Sequence, residues 1–183
     1  MKFSKQFKKI EGDASLRKFY RNKKKNSIIV LANKEKNKNL LVYDAVNKIL
    51  IKNKILAPKL LNQYYYKNFI EIQDLGAKTI YQLLKQKKIN RYLILKKVIN
   101  VLNDVQLIKD KKIKNFENQL YFIKTYNNQV LFNETKIFCD WYVPKQISKK
   151  KRIQFNNQFK KEIKFLLSKL NYRNDTFVHR DFH

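Results

Sequence analysis

The sequence has one cysteine, few arginines and no long apolar run. Cys139 cannot form a disulfide within the chain, and its apolar helical surroundings predict a small core residue. Apolar stretches such as 27–32 are short and are broken by Lys or Asn, so we expect no membrane-spanning segment. The charged start at 1–5 is not followed by an apolar stretch, so we expect no secretory signal either. These absences predict a cytoplasmic protein.

The chain is strongly basic, with a formal charge of +28 from 42 Lys and Arg against 14 Asp and Glu. Such a charge can bind nucleic acid by releasing counterions from phosphates, with an affinity that falls steeply as salt rises. Only six basic residues are Arg, however, and the lysines are spread along the whole chain. Because Arg is favoured where phosphates are read, we interpret the lysines as a solvated face with weak anion binding. Specific nucleic-acid binding is not expected, although a basic nucleic-acid-binding protein is the alternative function.

The order of the predicted elements indicates an α+β fold. With 183 residues and 44% hydrophobic content, the chain can bury the core of one domain or of a small two-lobed unit. Apolar periodicity predicts strands at 16–21, 27–32, 59–65 and 68–73, with a helix at 39–52. Helices are then predicted at 79–85, 90–109 and 128–142, and from Phe155 to Leu170, while 110–125 has no assignment. We expect a β-rich amino-terminal lobe over 1–75 and a helical lobe over 76–183.

Three periodic patterns in the back half define helices. In the helix at 128–142, Leu131, Thr135, Phe138 and Tyr142 share one stripe, and Pro144 should stop the helix. Trp141 and Tyr142 are interpreted as core residues. The buried stripe of the helix at 90–109 is Leu95, Val98, Leu102 and Val105, and the last helix is defined by Phe155, Phe159, Ile163, Leu166 and Leu170.

The sequence ends with Val178-His179-Arg180-Asp181-Phe182-His183. An apolar residue before His-Arg-Asp is typical of the catalytic loop of kinases, in which the carboxylate orients the acceptor hydroxyl and accepts its proton. The alternation of His179, Asp181 and His183 has a second interpretation. On an extended segment these side chains would share one side, which is the arrangement of a metal-binding face.

A turn near the amino end contains Gly12-Asp13-Ala14-Ser15. Small residues between two strands allow backbone N–H groups to approach phosphate oxygens, and the Ser hydroxyl could help. An ordinary hairpin turn has the same composition, so both interpretations stay open.

Five segments in order resemble one family. They are Glu11 to Arg21, Ala57-Pro58, Ile72-Gln73-Asp74-Leu75-Gly76, Leu131 to Tyr142 with Asp140-Trp141-Tyr142 at its end, and Val178 to His183. Together they are similar to the bacterial N-acetylmuramate/N-acetylglucosamine anomeric kinases, a branch of the aminoglycoside phosphotransferase-like kinases. The resemblance implies a protein kinase-like two-lobed fold. It also implies transfer of the γ-phosphoryl group of ATP, with Mg²⁺, to a sugar hydroxyl, the anomeric hydroxyl of these amino sugars, in cell-wall recycling.

The resemblance also implies roles for individual residues. Asp181 would be the catalytic carboxylate, with His179 and Arg180 shaping its loop. The implied nucleotide-binding residues are Gly12, Asp13, Ala14, Ser15, Arg17 and Lys34, together with Gln73, Asp74 and Leu75, whose backbone would meet the adenine. The implied substrate-binding residues are Glu134, Asp140, Trp141 and His183.

The chain departs from the kinase pattern at two places. It has no strand lysine of the Val-Ala-Ile-Lys kind, so Lys34 is the remaining candidate for a phosphate contact, and the following helix offers no obvious Glu partner. The expected magnesium ligands would lie beyond His183, so no metal site of the kinase type is identified. We therefore expect a truncated or split kinase, inactive alone, with a separately encoded remainder of the helical lobe as partner. A degenerate kinase that binds nucleotide without catalysis is a further alternative.

Overall fold

The computed structural model of the chain describes residues 6–11, 17–32, 38–86, 89–179 and 182, with the main chain alone at Lys38. These residues form two compact units. The first contains the described residues up to Ile123 together with His179 and Phe182, and the second is Lys124–Val178. The division into lobes predicted after residue 75 stays a prediction.

The first unit is built on an antiparallel sheet of five strands in the order β1-β2-β3-β5-β4. The strands are β1 (Phe7–Ile10), β2 (Arg17–Asn22), β3 (Ser27–Ala32), β4 (Leu60–Tyr64) and β5 (Phe69–Gln73). Helix α1 (Lys38–Lys52) lies in sequence between β3 and β4. The predicted strands and the first helix are therefore confirmed within two residues, β1 is an additional edge strand, and the fold is α+β.

Helix α1 packs on one face of this sheet. Phe19 pairs with Val30 and Arg21 with Ile28, so the predicted alternation of β2, with Arg17, Phe19 and Arg21 on one face, is confirmed. That face carries the core, whose buried members are Val30, Ala32, Leu40, Ile70 and Ile72. Burying such side chains contributes about 1.5–3 kcal/mol each, which explains why α1 stays on the sheet.

Asparagine takes the turn positions for which glycine is usually preferred. The chain has two glycines, and Asn26, Asn68 and Asn118 have φ angles of 49°, 60° and 58°. Asn tolerates this left-handed region better than other residues with a Cβ atom. The turns before β3, before β5 and before the last strand of the first unit therefore form without glycine.

The rest of the first unit contains two helices and a short hairpin. They are α2 (Ile80–Leu84), α3 (Arg91–Gln106), β6 (Lys112–Lys114) and β7 (Leu120–Phe122). Thr79 begins α2 with a reciprocal capping box, since it accepts from the Gln82 N–H and its own N–H donates to the Gln82 side chain. Asn90 caps α3 by accepting from the Leu93 N–H. The hairpin occupies the segment that had no assignment.

Asp110 joins the end of α1 to this hairpin. It accepts from the Lys52 ammonium group and, at 2.7 Å, from the Asn53 amide. Phe116, in the hairpin, lies edge to face with Tyr65 at 5.5 Å and packs against the core. The predicted stripe of α3 is only partly confirmed, since Val105 is buried but Leu95 is 48% exposed.

The second unit is helical. It contains α4 (Asn128–Ile137), a π-helical turn (Phe138–Tyr142), α5 (Val143–Gln146) and α6 (Lys149–Lys169). Pro144 was predicted to stop the helix, but the helical turns continue through it. It lies in the first turn of α5, where a backbone N–H would have no partner within the helix, so its absence costs nothing. The last helix, predicted from Phe155 to Leu170, is confirmed as α6, although α6 begins earlier, at Lys149; two of its defining residues, Leu166 and Leu170, are exposed. In the part of the chain that the structure describes, no helix is long and apolar enough to cross a membrane.

We expect the sheet core to determine the stability of the first unit. Replacing Ile70, which is fully buried, by Ala should destabilise the protein by about 2–5 kcal/mol, because the lost methylenes leave a cavity. Ile80→Ala removes the same atoms at a position that is 47% exposed and should cost less than about 1 kcal/mol. Urea denaturation followed by circular dichroism measures both, and equal losses would contradict the assigned core.

Candidate functional site

The end of strand β5 is held by an ion pair with strand β2. The Arg21 guanidinium donates to both carboxylate oxygens of Asp74, from Nε at 2.5 Å and from Nη2 at 3.0 Å. Nη2 also donates to the Gly76 carbonyl at 2.8 Å, and the Gly76 N–H donates to Asp74 Oδ1 at 2.8 Å. Gly76 has a φ of 103°, where a Cβ atom would be strained. The segment after β5 is therefore fixed in one conformation.

Asp74 is kept ionised by these contacts. Burial alone would raise the pKa of Asp74, but the hydrogen bonds from Arg21 and Gly76 and the positive charge of Arg21 outweigh burial and lower that pKa below its ordinary value. Since Arg21 and Gly76 already use the Asp74 carboxylate, Asp74 serves here to position the backbone beside it.

Only part of the backbone of the predicted adenine-binding segment forms hydrogen bonds within the protein. The Gln73 N–H donates to the Lys59 carbonyl, and the Asp74 N–H donates to the Asn26 carbonyl. Within the described ranges the main-chain N–H and C=O of Leu75 have no hydrogen-bond partner, and its side chain is 46% exposed. A donor and an acceptor held next to each other in this way can pair with the edge of a flat heterocycle. Of the three residues predicted from sequence, Leu75 has the main chain that is available for a ligand.

Arg17, predicted to bind nucleotide, lies on the core face of the sheet. Its guanidinium lies 4.8 Å from the centre of the Tyr43 ring of α1, a cation–π contact. Burial raises the pKa of Tyr43, an effect that a hydrogen bond from Asn47 and the charge of Arg17 reduce. The half-buried position indicates that Arg17 helps to hold α1 against β2.

Several predicted residues lie outside the described part of the chain: Gly12, Asp13, Ala14, Ser15, Lys34, Arg180, Asp181 and His183. Of the proposed catalytic loop the structure describes His179, which is exposed and lies edge to face with Phe182 at 5.5 Å. Two of the three residues of the alternative metal site are thus outside it. Among the described residues no group of three or more His, Cys, Asp or Glu side chains could hold a metal ion, so no residue is assigned to magnesium.

The three predicted substrate residues of the second unit lie on α4 and the π-helical turn. Glu134 is half-buried and accepts a hydrogen bond from the Tyr126 hydroxyl. Asp140 is exposed, and Trp141 is 73% exposed. The interpretation of Trp141 and Tyr142 as core residues is wrong, since Tyr142 is also 54% exposed.

The π-helical turn explains this exposure. The Val143 N–H donates to the Phe138 carbonyl, five residues back, so one extra residue enters the turn. Cys139 and Val143 then point into the core at 5% and 1% exposure, while Trp141 lies outside. Burial raises the pKa of the Cys139 thiol, with a smaller contribution from Asp140, which agrees with the core role predicted for this cysteine. Such turns are frequent at functional sites.

Sequence reasoning missed the Arg21–Asp74 pair as part of the site. The signal available was a second arginine on the same strand face, four residues after Arg17 and two after Phe19, together with an Asp-x-Gly sequence after a buried strand. The pairing itself could not be read from sequence because 53 residues separate the partners.

No protein-family model, curated protein or solved structure matches this chain.

The Arg21–Asp74 pair should give a stability that depends on pH. Arg21→Ala leaves the buried carboxylate without its cation and should cost about 2 kcal/mol at pH 7. Because the folded-state pKa of Asp74 is lowered, this contribution is present above the unfolded-state pKa of about 4. It is lost as pH falls through the lower folded-state pKa. The difference between wild type and variant should therefore shrink as pH falls below about 4.

Urea denaturation at pH 7 and in the acid range tests this prediction. Arg91→Ala, at an exposed arginine of α3, is the matched control and should change stability little at either pH. A loss for Arg21→Ala that is equal at both pH values would show that the ion pair does not set the pKa of Asp74.

Proposed function

We propose that this protein is a small-molecule kinase that transfers the γ-phosphoryl group of ATP to a sugar hydroxyl. The acceptor proposed is the anomeric hydroxyl of N-acetylmuramate or N-acetylglucosamine, in the recycling of cell-wall sugars in the cytoplasm. The observation that carries the proposal is the strand end at Leu75, where an available main-chain donor and acceptor are held by the Arg21–Asp74 pair.

The architecture of the first unit supports a protein kinase-like fold. Kinases clamp the nucleotide between a small sheet that carries a helix after its third strand and a helical lobe. Here α1 follows β3, packs on the sheet, and is followed by β4 and β5. The strand that ends at Gln73, β5, is paired on both sides, with β3 and β4, and the segment after it is the proposed adenine site.

The rigidity of the strand end supports nucleotide binding. A ligand pays less conformational entropy when its partner groups are already positioned. Arg21, Asp74 and Gly76 together fix the backbone on both sides of Leu75. The Leu75 N–H would donate to a ring nitrogen and its carbonyl would accept from an exocyclic amine, which is the pattern on one edge of adenine.

In the proposed reaction Asp181 is the general base. Its carboxylate would orient the sugar hydroxyl and accept the hydroxyl proton as that oxygen bonds to the γ-phosphorus of ATP, while His179 and Arg180 hold the loop. The bond between this phosphorus and the β–γ bridging oxygen breaks, and ADP leaves. Magnesium, to which no described residue is assigned, would supply neutralisation of the phosphate charge. The exposed indole of Trp141 is suited to stack on the apolar face of a sugar ring, and the carboxylates of Glu134 and Asp140 would accept hydrogen bonds from the sugar hydroxyls.

Nucleotide binding by residues 1–183 should be measurable without catalysis. We expect ATP or ADP to raise the melting temperature, because a ligand at 100 times its Kd stabilises the folded state by about 2.7 kcal/mol. Leu75→Pro removes the N–H donor and should weaken binding about five- to tenfold, the equivalent of one hydrogen bond. Calorimetric titration gives the affinities. Lys78→Pro, in the exposed segment three residues later, is the control and should bind as wild type does.

If the wild-type chain binds no nucleotide but binds RNA tightly at physiological salt, the alternative of a nucleic-acid-binding protein replaces the kinase. Equal binding by Leu75→Pro and wild type would place the adenine elsewhere.

Catalysis is tested by fusing residues 1–183 to the magnesium-binding segment of a kinase of the resembled branch. The fusion should consume ATP in the presence of N-acetylmuramate or N-acetylglucosamine, and Asp181→Ala should reduce turnover at least about 100-fold, since general base catalysis contributes that much. Nucleotide affinity should stay unchanged in this variant. A degenerate kinase would bind nucleotide but show no sugar-dependent turnover in either fusion.

A further inference from the structure

Helix α3 leaves most of its apolar side chains exposed. Of its 16 residues, all of which the structure describes, Val105 alone is buried. Five large apolar residues of α3 are between 42% and 70% exposed: Tyr92, Leu93, Leu95, Ile99 and Val101. Helix α2 contacts α3 and adds the exposed residues Ile80 and Tyr81. Together these seven residues form the α2–α3 surface, and so many adjacent exposed apolar side chains are typical of an interaction surface.

The charges around this surface are positive. From residue 75 to residue 103 the sequence contains seven Lys or Arg residues and no Asp or Glu, and the next acidic residue, Asp104, lies in the last turn of α3. The structure describes five of these basic residues, all exposed: Lys78, Lys85, Arg91, Lys96 and Lys97. The Lys85 ammonium lies 4.4 Å from the centre of the Tyr81 ring. A partner of this surface should therefore be negatively charged and should also accept apolar side chains.

The positions of the apolar residues on α3 favour a lipid surface over a protein helix. Successive residues of an α-helix are about 100° apart, so Tyr92, Leu95 and Ile99 share one side. Leu93 lies on another side, with Lys96 between the two. A partner helix packs against one side, whereas the interface of a bilayer contacts a wider arc of a helix that lies in its plane. A lysine between apolar residues can extend its ammonium group to the headgroups.

The side-chain types favour lipid over nucleic acid. Single-stranded RNA gains affinity when its bases stack on aromatic rings. Four of the five exposed apolar residues of α3 are aliphatic, and aliphatic side chains offer no stacking platform. They do gain free energy on leaving water for an acyl-chain environment.

We propose that the α2–α3 surface binds the surface of an anionic lipid bilayer, with α3 lying in the plane of the interface. Leu93, Leu95 and Ile99 enter the boundary between headgroups and acyl chains, and the Tyr92 ring lies at headgroup level. The lysines beside them contact the lipid phosphates. No residue of this surface is assigned to nucleotide or sugar, so the proposal does not depend on the proposed kinase activity.

Co-sedimentation with vesicles tests the proposal. Wild type should bind vesicles of phosphatidylcholine and phosphatidylserine in equal parts. Ile99→Asp should weaken this binding at least about tenfold, because the transfer of one isoleucine side chain out of water is lost. Ile153→Asp makes the same change in charge at an isoleucine of α6 that is 72% exposed, and it should bind nearly as wild type does.

A fluorescence measurement tests insertion without relying on the folding of Ile99→Asp. The chain has one tryptophan, so Tyr92→Trp combined with Trp141→Phe places a single indole on α3. Lipids brominated in their acyl chains should quench the fluorescence of this indole. Quenching should be weaker for the wild-type indole at Trp141, which lies in the second unit.

Three results would overturn the proposal. Equal losses of vesicle binding in the Ile99→Asp and Ile153→Asp variants would show that the overall positive charge alone causes binding. Absence of quenching of the indole at position 92 would exclude insertion of α3. Failure of wild type to bind the vesicles, with Ile99→Asp instead abolishing RNA binding or a dimer, would assign the surface to RNA or to a second copy of the chain.

Discussion

The contact of α1 with the sheet is the interaction on which the first unit depends. Leu40 is fully buried against the strand face that carries Val30 and Ile70, and without it these residues would face water. The same face carries the arginines of β2. Arg17 lies against α1, and Arg21 reaches the end of β5. One helix packing therefore buries the core and also places the charged groups that organise the strand end.

Two buried carboxylates of the first unit are satisfied by protein groups. Asp74 has its hydrogen bonds filled by Arg21 and Gly76, so it acts on the proposed ligand site by holding the backbone near Leu75. Asp44, on α1, has the Lys48 ammonium 2.8 Å from its Oδ2 atom, one turn later on the same helix. Buried charges are tolerated when they are paired in this way.

The second unit shows how one local irregularity redirects several side chains. A regular helix through Phe138–Tyr142 would have kept Tyr142 on the predicted stripe of Leu131, Thr135 and Phe138. The π-helical turn shifts the register by one residue, so Val143 takes the inward position after Cys139. Phe138 stacks on Tyr142 and Phe159 at 5.1 and 5.4 Å. The indole is thereby presented to solvent beside an ordered aromatic cluster.

The sequence alone was enough to locate most strands of the sheet and the first helix. Apolar patterns located β2, β3, α1 and β5: β2 and α1 repeat against one buried face, whereas every residue of β3 and β5 is buried or half-buried. The buried state of Cys139 followed from the apolar helical pattern around it. Tertiary structure decided the pairing of Arg21 with Asp74 and the exposure of Trp141. The ion pair joins segments that are far apart in sequence, and the exposure of Trp141 depends on one extra residue in a helical turn. The spacing of residue types along the chain does not show which distant side chains meet.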